Sequence, residues 1–437
     1  MKKLIILLLL FVGINLLAIS QETDPCRKST EGTDFWFGFM ESRWHSNNHK
    51  LEITVTARVA TTFTIKIGPN ENLVGETYSI NANSSIQVPI QWDLVEPIGS
   101  ENIEDFGIHL ESKGPVNVYA LNYDRRSSDV AVIYPTASLG SEYFAMCYEP
   151  NVNGKTGKNS EFLIVAAEDS TTVEITPTKI TDQLRPKDST FTIILNKGQI
   201  YQVQSENTEN ASGQGDLTGS HILADKPIAI FSGSYGTTIP ATPGTNAWDH
   251  LYEQIPPVRS WGRNFYTVPL KSRQGDIYRI LAAEDGTNVI INNSSTPIPL
   301  DRGEFHEVLL ENYEPSYIFA DKKILVAQYS RSMSADAGDV GDPFMIILSP
   351  TTQAVNDVTF VAYGSSVIEQ YYVNIVARTT ETGQILLDGN SIQHHFKPYS
   401  NSDYSYAQIS LNPETYHIWG KTDKIGFLAY VYGFGRE

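Results

Sequence analysis

The sequence predicts an all-β protein of four tandem antiparallel β-sandwich-like repeats, each of about 100 residues. Three observations carry this expectation. Apolar and polar residues alternate in short runs such as Glu52-Ile53-Thr54-Val55 and Thr64-Ile65-Lys66-Ile67, the period of strands with one wet face. Strand and turn formers dominate, with 23 Tyr, 31 Gly and 22 Pro beside 5 Met. Two anchor motifs recur in step along the chain, at intervals of about 100 residues. A β-propeller with two blades per repeat is the alternative arrangement of the same strands.

The first element is a leader. Met1-Lys2-Lys3 precedes an apolar run from Leu4 to Ala18, and Ala18-Ile19-Ser20 offers small residues for a signal-peptidase site. A signal peptide over residues 1–20 follows, with an N-terminal tail over 21–32. The run is short for a membrane span, and no later stretch is long and apolar enough to cross a bilayer. The expected location is therefore secreted or cell surface, without membrane insertion. Loss of Lys2 and Lys3 takes the net charge from −18 to −20. So acidic a chain has nothing to offset phosphate repulsion, which argues against nucleic acid as a partner. With 41% hydrophobic and 19% charged residues, it is neither a disordered chain nor a long coiled coil. Cys26 and Cys147 are the only cysteines. In an exported chain they are expected to pair.

The repeats are assigned to 33–139, 140–262, 263–356 and 357–437. The first anchor is an apolar strand: Leu51–Ala57, Phe162–Ala167, Tyr278–Ala283 and Val373–Ala377. In repeats two and three it runs into Glu168-Asp169-Ser170-Thr171 and Glu284-Asp285-Gly286-Thr287, then into a β-branched strand. That is a hairpin signature. The second anchor reads Lys113-Gly114-Pro115-Val116, Asp225-Lys226-Pro227-Ile228, Asp321-Lys322-Lys323-Ile324 and Asp423-Lys424-Ile425, and it predicts a second hairpin. Repeats one to three leave through Tyr134-Pro135, Pro256-Pro257 and Ser349-Pro350, where Pro ends a strand. Repeat four runs through Val431–Gly435 and shows no such exit strand. Its sheet is expected to be completed by another segment, such as the N-terminal tail, or by strand addition from another chain.

Catalytic signatures are sparse. There is no His-Glu-x-x-His and no Gly-x-Ser-x-Gly. Gly154–Lys158 lacks the spacing of a phosphate loop, and His45 with His49 offers two imidazoles on a polar loop. Asp336, Asp339 and Asp342 cluster on a Gly-bearing loop, the kind of oxygen set that Ca²⁺ takes, although the spacing is not that of an EF-hand. Otherwise no cofactor is expected. Asp249, placed before Pro257 as Asp342 is before Pro350, suggests a shared structural acceptor at the exit turn. The duplicated Glu-Asp turns read as turn chemistry. Of the six Trp, Trp44 and Trp248 lie in polar, turn-like contexts and are the candidate ligand-binding pair.

Glu31-Gly32-Thr33-Asp34-Phe35-Trp36-Phe37-Gly38-Phe39-Met40 resembles the opening of the N-terminal region family of the IgGFc-binding protein, which has exported bacterial members. The Ala-Ala-Glu-Asp turns at 166–169 and 282–285, Asp225–Ile228, Gly341-Asp342-Pro343 and Gly426–Tyr430 are similar too. The resemblance runs from about residue 30 to the end. It implies a surface- or mucus-associated binding or adhesion protein that holds an extracellular protein or glycoprotein, and not an enzyme. A carbohydrate-binding module or carbohydrate-active enzyme is the alternative, raised by the aromatic loops and 50 acids.

Overall fold

The computed structural model describes residues 30–42, 49–124, 127–150, 159–206, 215–242, 244–292, 294–311, 313–336, 340–364 and 368–435. It is nearly all-β and antiparallel, as the alternation requires, and its sheets form successive sandwich-like groups. Among these residues no helix is long and apolar enough to cross a membrane.

One long strand organises each of the first three groups: Ile108–Asp124, His221–Thr237 and Ser316–Tyr329. Its first half pairs with one set of strands and its second half with another. In the first group, Ile108–Ser112 lies beside Thr61–Ile67, whereas Asn117–Tyr123 lies beside Lys50–Ala57. The second anchor sits at the crossing point. It is therefore not a hairpin in these groups, as its turn residues suggested. The strand continues through Lys113-Gly114-Pro115 and changes sheets there, opposite a register shift between Gly32 and Asp34. Equivalent shifts occur at Gly140/Glu142 and Gly262/Asn264. A bulge lets a strand bend without abandoning its ladder, and it tolerates a Pro that donates no N–H. Only in the fourth group does the anchor break the strand, into Thr415–Gly420 and Phe427–Gly435.

The duplicated turns are held by the anchor itself. Thr171 Oγ1 donates to the Glu168 carbonyl (2.7 Å), and Thr287 Oγ1 to that of Glu284 (2.6 Å). Asp225 accepts the Thr172 N–H and Asp321 that of Asn288, each at 2.8 Å. Lys226 donates to the carbonyls of Asp169 and Ser170, and Lys322 to that of Asp285. A sequence echo thus records a physical clamp between the two motifs.

Exit strands Ser127–Ile133, Asp249–Ile255 and Met345–Leu348 pair with the second halves of the long strands. Each runs through Pro135, Pro257 or Pro350 into a 3₁₀ turn. Those prolines press on the glycines that begin the first strands. A Cβ on Gly32, Gly140 or Gly262 would lie 2.3, 2.5 or 2.2 Å from the corresponding Pro Cβ. Only Gly permits that approach.

The apolar cores lie largely between groups. One unites Phe35, Ile53 and Val118 with Leu163, Phe231 and Tyr252; another unites Ile164 and Ile230 with Leu281 and Tyr329. Third and fourth groups share Tyr266, Val268, Val376 and Leu428. The ring closes between the fourth group and the first, where Thr56 and Asn117 donate to the Thr359 carbonyl at 2.9 and 3.3 Å.

Candidate functional site

The exit strands meet near the middle of this ring, and their exposed edges are capped by side chains. Asp129, on the first exit strand, accepts the N–H of Tyr252 on the second at 3.0 Å. Gln254 accepts the Tyr134 N–H at 2.6 Å. Asp129 and Glu253 also lie beside the backbone of the third exit strand, near the N–H groups of Met345 and Ile347. Alternation forces these placements, because every second side chain of an exit strand faces its neighbour.

Beside them lies a cavity of about 330 Å³ with walls from all four groups. Leu121, Val130 and Val132 come from the first, Glu253 from the second, Phe344 and Ile346 from the third, and Phe360 with Phe427–Gly433 from the fourth. The surface is mainly apolar and aromatic, the usual character of a ligand pocket. Asp129, Glu253 and Asp357 bring carboxyls to it, Asp357 already facing His417 and Arg58, and its described lining contains no Lys, Arg or His. Burial pushes Asp129 up to about 7 and Glu253 well above the ordinary carboxylate range, with each other's charge adding to the effect on Glu253. Asp249 is raised too, first by burial and then by Asp342.

A shallower groove of about 250 Å³ opens where the fourth group meets the first. His417 stacks on Trp419 at 4.4 Å and lies 3.0 Å from Asp357, while Asp388 accepts the His417 N–H at 2.8 Å. An aromatic ring beside carboxylates and Asn83 is a surface that a sugar ring can stack on.

The residues singled out from sequence fall elsewhere. Trp44, His45 and Gly154–Lys158 lie outside the described residues, as do Cys26 and Asp339. Trp248 is half-buried and lines neither cavity. His49 is buried, 2.6 Å from Glu96. Cys147 is fully buried with Sγ 3.2 Å from the Glu161 carbonyl, and burial pushes its thiol up. Asp336 is buried against Arg273 Nε at 2.8 Å and accepts the Gln274 N–H at 2.9 Å. A calcium ion at the Asp336–Asp342 loop would therefore have to displace a guanidinium. Asp342 is half-buried.

Asp34, His109 and Glu111 also bring ligand atoms within 4.8 Å of one another. Sequence reading missed this trio because Asp34 lies 75 residues from His109. Lys66 reaches Glu111 at 2.5 Å and Glu71 at 2.8 Å, so an ammonium already answers the negative charge there. Asp34 and His109 meet at 2.8 Å. The cavity went unseen as well, although its carboxyls sit on exit strands that the prolines had marked.

The profile of the IgGFc binding protein family matches residues 129–433. The chain is 21% identical over 432 residues to the human (Homo sapiens) IgGFc-binding protein, covering 97% of this chain and 8% of that one. It thus spans less than a tenth of that relative's length. Among solved structures, an anti-sigma factor domain-containing protein from Clostridium clariflavum aligns over 88% of this chain and 94% of its own, at 10% identity and a TM-score of 0.11. A tetra-tandem repeat from the extending region of a large adhesion protein aligns over 94% and 97%, at 8% identity and a TM-score of 0.08. Superpositions this poor carry no argument about fold.

Proposed function

The chain belongs to the IgGFc-binding protein family, and from that premise we propose an exported, non-enzymatic binding or adhesion protein that holds a protein or glycoprotein ligand. The observation that carries this reading is the cavity at the centre of the ring. It draws walls from four groups of strands, it is largely apolar and aromatic, and its Asp129 carboxyl is engaged by the Tyr252 and Val130 N–H groups. Such a surface suits the retention of a ligand. Immunoglobulin is one ligand to test among several, because the human relative is far longer than this chain.

A second reading has its own support. The groove at Trp419, with Asp388 and Asn83, suits a saccharide and keeps carbohydrate binding open. One experiment addresses both. Protein beginning at Gln21 is passed over a glycan array, mucins and immunoglobulin, with and without EDTA. Selective retention without released product is the expected result. Release of free sugar would overturn the non-enzymatic reading. Loss of glycan retention in Trp419→Ala, with mucin polypeptide binding intact, would assign the groove to saccharide. If EDTA leaves both melting temperature and retention unchanged, calcium at Asp336–Asp342 is dismissed.

A further inference from the structure

The edge of the C-terminal strand Phe427–Gly435 is engaged at both ends and open between them. One edge pairs throughout with Ile368–Arg378. On the other, Phe427 exchanges both backbone hydrogen bonds with Val355, at 2.8 and 2.9 Å, and the Gly435 carbonyl accepts from Gly341 at 3.0 Å. In an antiparallel ladder the N–H and C=O of one residue point to the same side, and alternate residues share that side. Ala429, Val431 and Gly433 therefore aim their backbone groups in the same direction as Phe427 and Gly435. No described strand lies there, because Phe427–Gly435 ends its sheet.

The other groups show what belongs in this place. Val118, Ile230 and Val326, which hold the place of Ala429, pair with Ile133, Ile255 and Leu348 of the exit strands. Val355 opposite Phe427 takes instead the place of Gly140 opposite Ile228 and Gly262 opposite Ile324, so the exit-strand rungs of the fourth group are open from Ala429 on. The remaining rungs border the cavity, since Phe427–Gly433 form part of its wall. Three open rungs over Ala429–Gly433 measure about 17 Å, the length of a five-residue strand. Opposite them stand Val132, Phe344 and Ile346, with Asp129 and Glu253 as acids that no described cation meets.

We infer that this slot receives an extended segment of a partner polypeptide, added antiparallel to Phe427–Gly435, with apolar side chains and a Lys or Arg directed at Asp129 and Glu253. Main-chain hydrogen bonds to Ala429, Val431 and Gly433 provide attachment, and the side walls select sequence. The basic residue is favoured because the lining offers two buried carboxyls and no Lys, Arg or His, and an ammonium or guanidinium brought beside them would draw off their protons and pair with the carboxylates. A carboxylate in so apolar a place is costly until a cation accompanies it. The inference rests on the reading of this chain as a binding protein and specifies how the ligand is held.

The probe is a synthetic peptide with the sequence of Ser128–Tyr134 carrying Asp129→Lys, fluorescein-labelled and titrated with protein beginning at Gln21. Saturable binding is expected. It should weaken at least tenfold when alternate peptide nitrogens are methylated, and at least tenfold for the unsubstituted Asp129 sequence. Val431→Pro removes one slot-facing N–H that the neighbouring strand does not use, and the same loss is expected at unchanged melting temperature. Should that variant unfold, the methylated peptide still decides the matter with unaltered protein. Failure to bind at 1 mM, or binding indifferent to methylation, overturns the inference. So does binding only after residues 21–29 are deleted, which would identify the chain's own N-terminal segment as the occupant. Mucin and immunoglobulin retention is measured on Val431→Pro in parallel. If it persists, strand addition falls and the ligand-binding reading stands; if native protein retains nothing, the broader reading falls.

Discussion

Asp129 shows how one side chain links the fold to its environment. Its carboxyl ties the first exit strand to the second and is pushed up to about 7 by burial. In the unfolded chain it would titrate near 3.9. Between those values the folded protein holds a proton that the unfolded chain has released, so stability falls as pH rises from about 4 to 7. Asp276, raised to about 6 by burial, acts in the same direction. His250 opposes them. Burial lowers it to about 4, so its contribution is full above the unfolded value near 6.5 and is lost as pH falls through 4. His221 and His395 are lowered as well, but with Asp249 and Glu253 also raised the four buried carboxyls outnumber the three histidines. Melting temperature should therefore decline from pH 5 to pH 8, and Asp129→Asn should flatten that decline. A profile that keeps its slope in the variant would assign the effect elsewhere. None of this was legible in sequence. Asp129 sits in an ordinary alternating strand, and only the neighbouring exit strand, more than a hundred residues away, makes its setting unusual.

Among the elements, the exit strand with its proline is the most informative. Sequence marked Pro135, Pro257 and Pro350 as strand ends but could not reveal that each lands on a glycine. Gly262 has the tightest contact, with a Cβ placed 2.2 Å from Pro350. Gly262→Ala should cost about 1–3 kcal/mol through overpacking, read as a lower denaturation midpoint at unchanged slope. A neutral result would mean that the turn yields easily. The second anchor teaches the converse lesson. Lys-Pro and Asp-Lys are turn formers by composition, yet three of the four anchors lie inside continuous strands. A bend through a bulge and a reversal through a hairpin use the same residues, and only the partners on either side distinguish them.

For the whole molecule, the repeat pattern correctly announced an all-β chain of similar groups, because alternation and turn chemistry are local. Where the cores would lie was not local. Two of the largest unite consecutive groups: Leu163 and Phe231 pack with Phe35, and Leu281 and Tyr329 pack with Ile164. The third and fourth groups also keep cores of their own, around Ile280 and Ile375, but the shared cores tie each group to a neighbour, and the ring should unfold as one. Calorimetry should give a single transition with calorimetric and van't Hoff enthalpies in agreement. Two resolved transitions would show that the groups are energetically separate.

The open slot also bears on how this chain can be rewired. Gly435 lies at one end of it, beside Gly341, and Thr30 lines the same cavity near Val355 at the other. A linker crossing the slot as a strand would join these two points in the direction that every other exit strand takes. A circular permutant closed by such a linker, and reopened at an exposed turn such as that around Lys187, would carry its fourth exit strand covalently. The ring would then have no natural seam, and the linker sequence would become a way to plug or unplug the cavity at will.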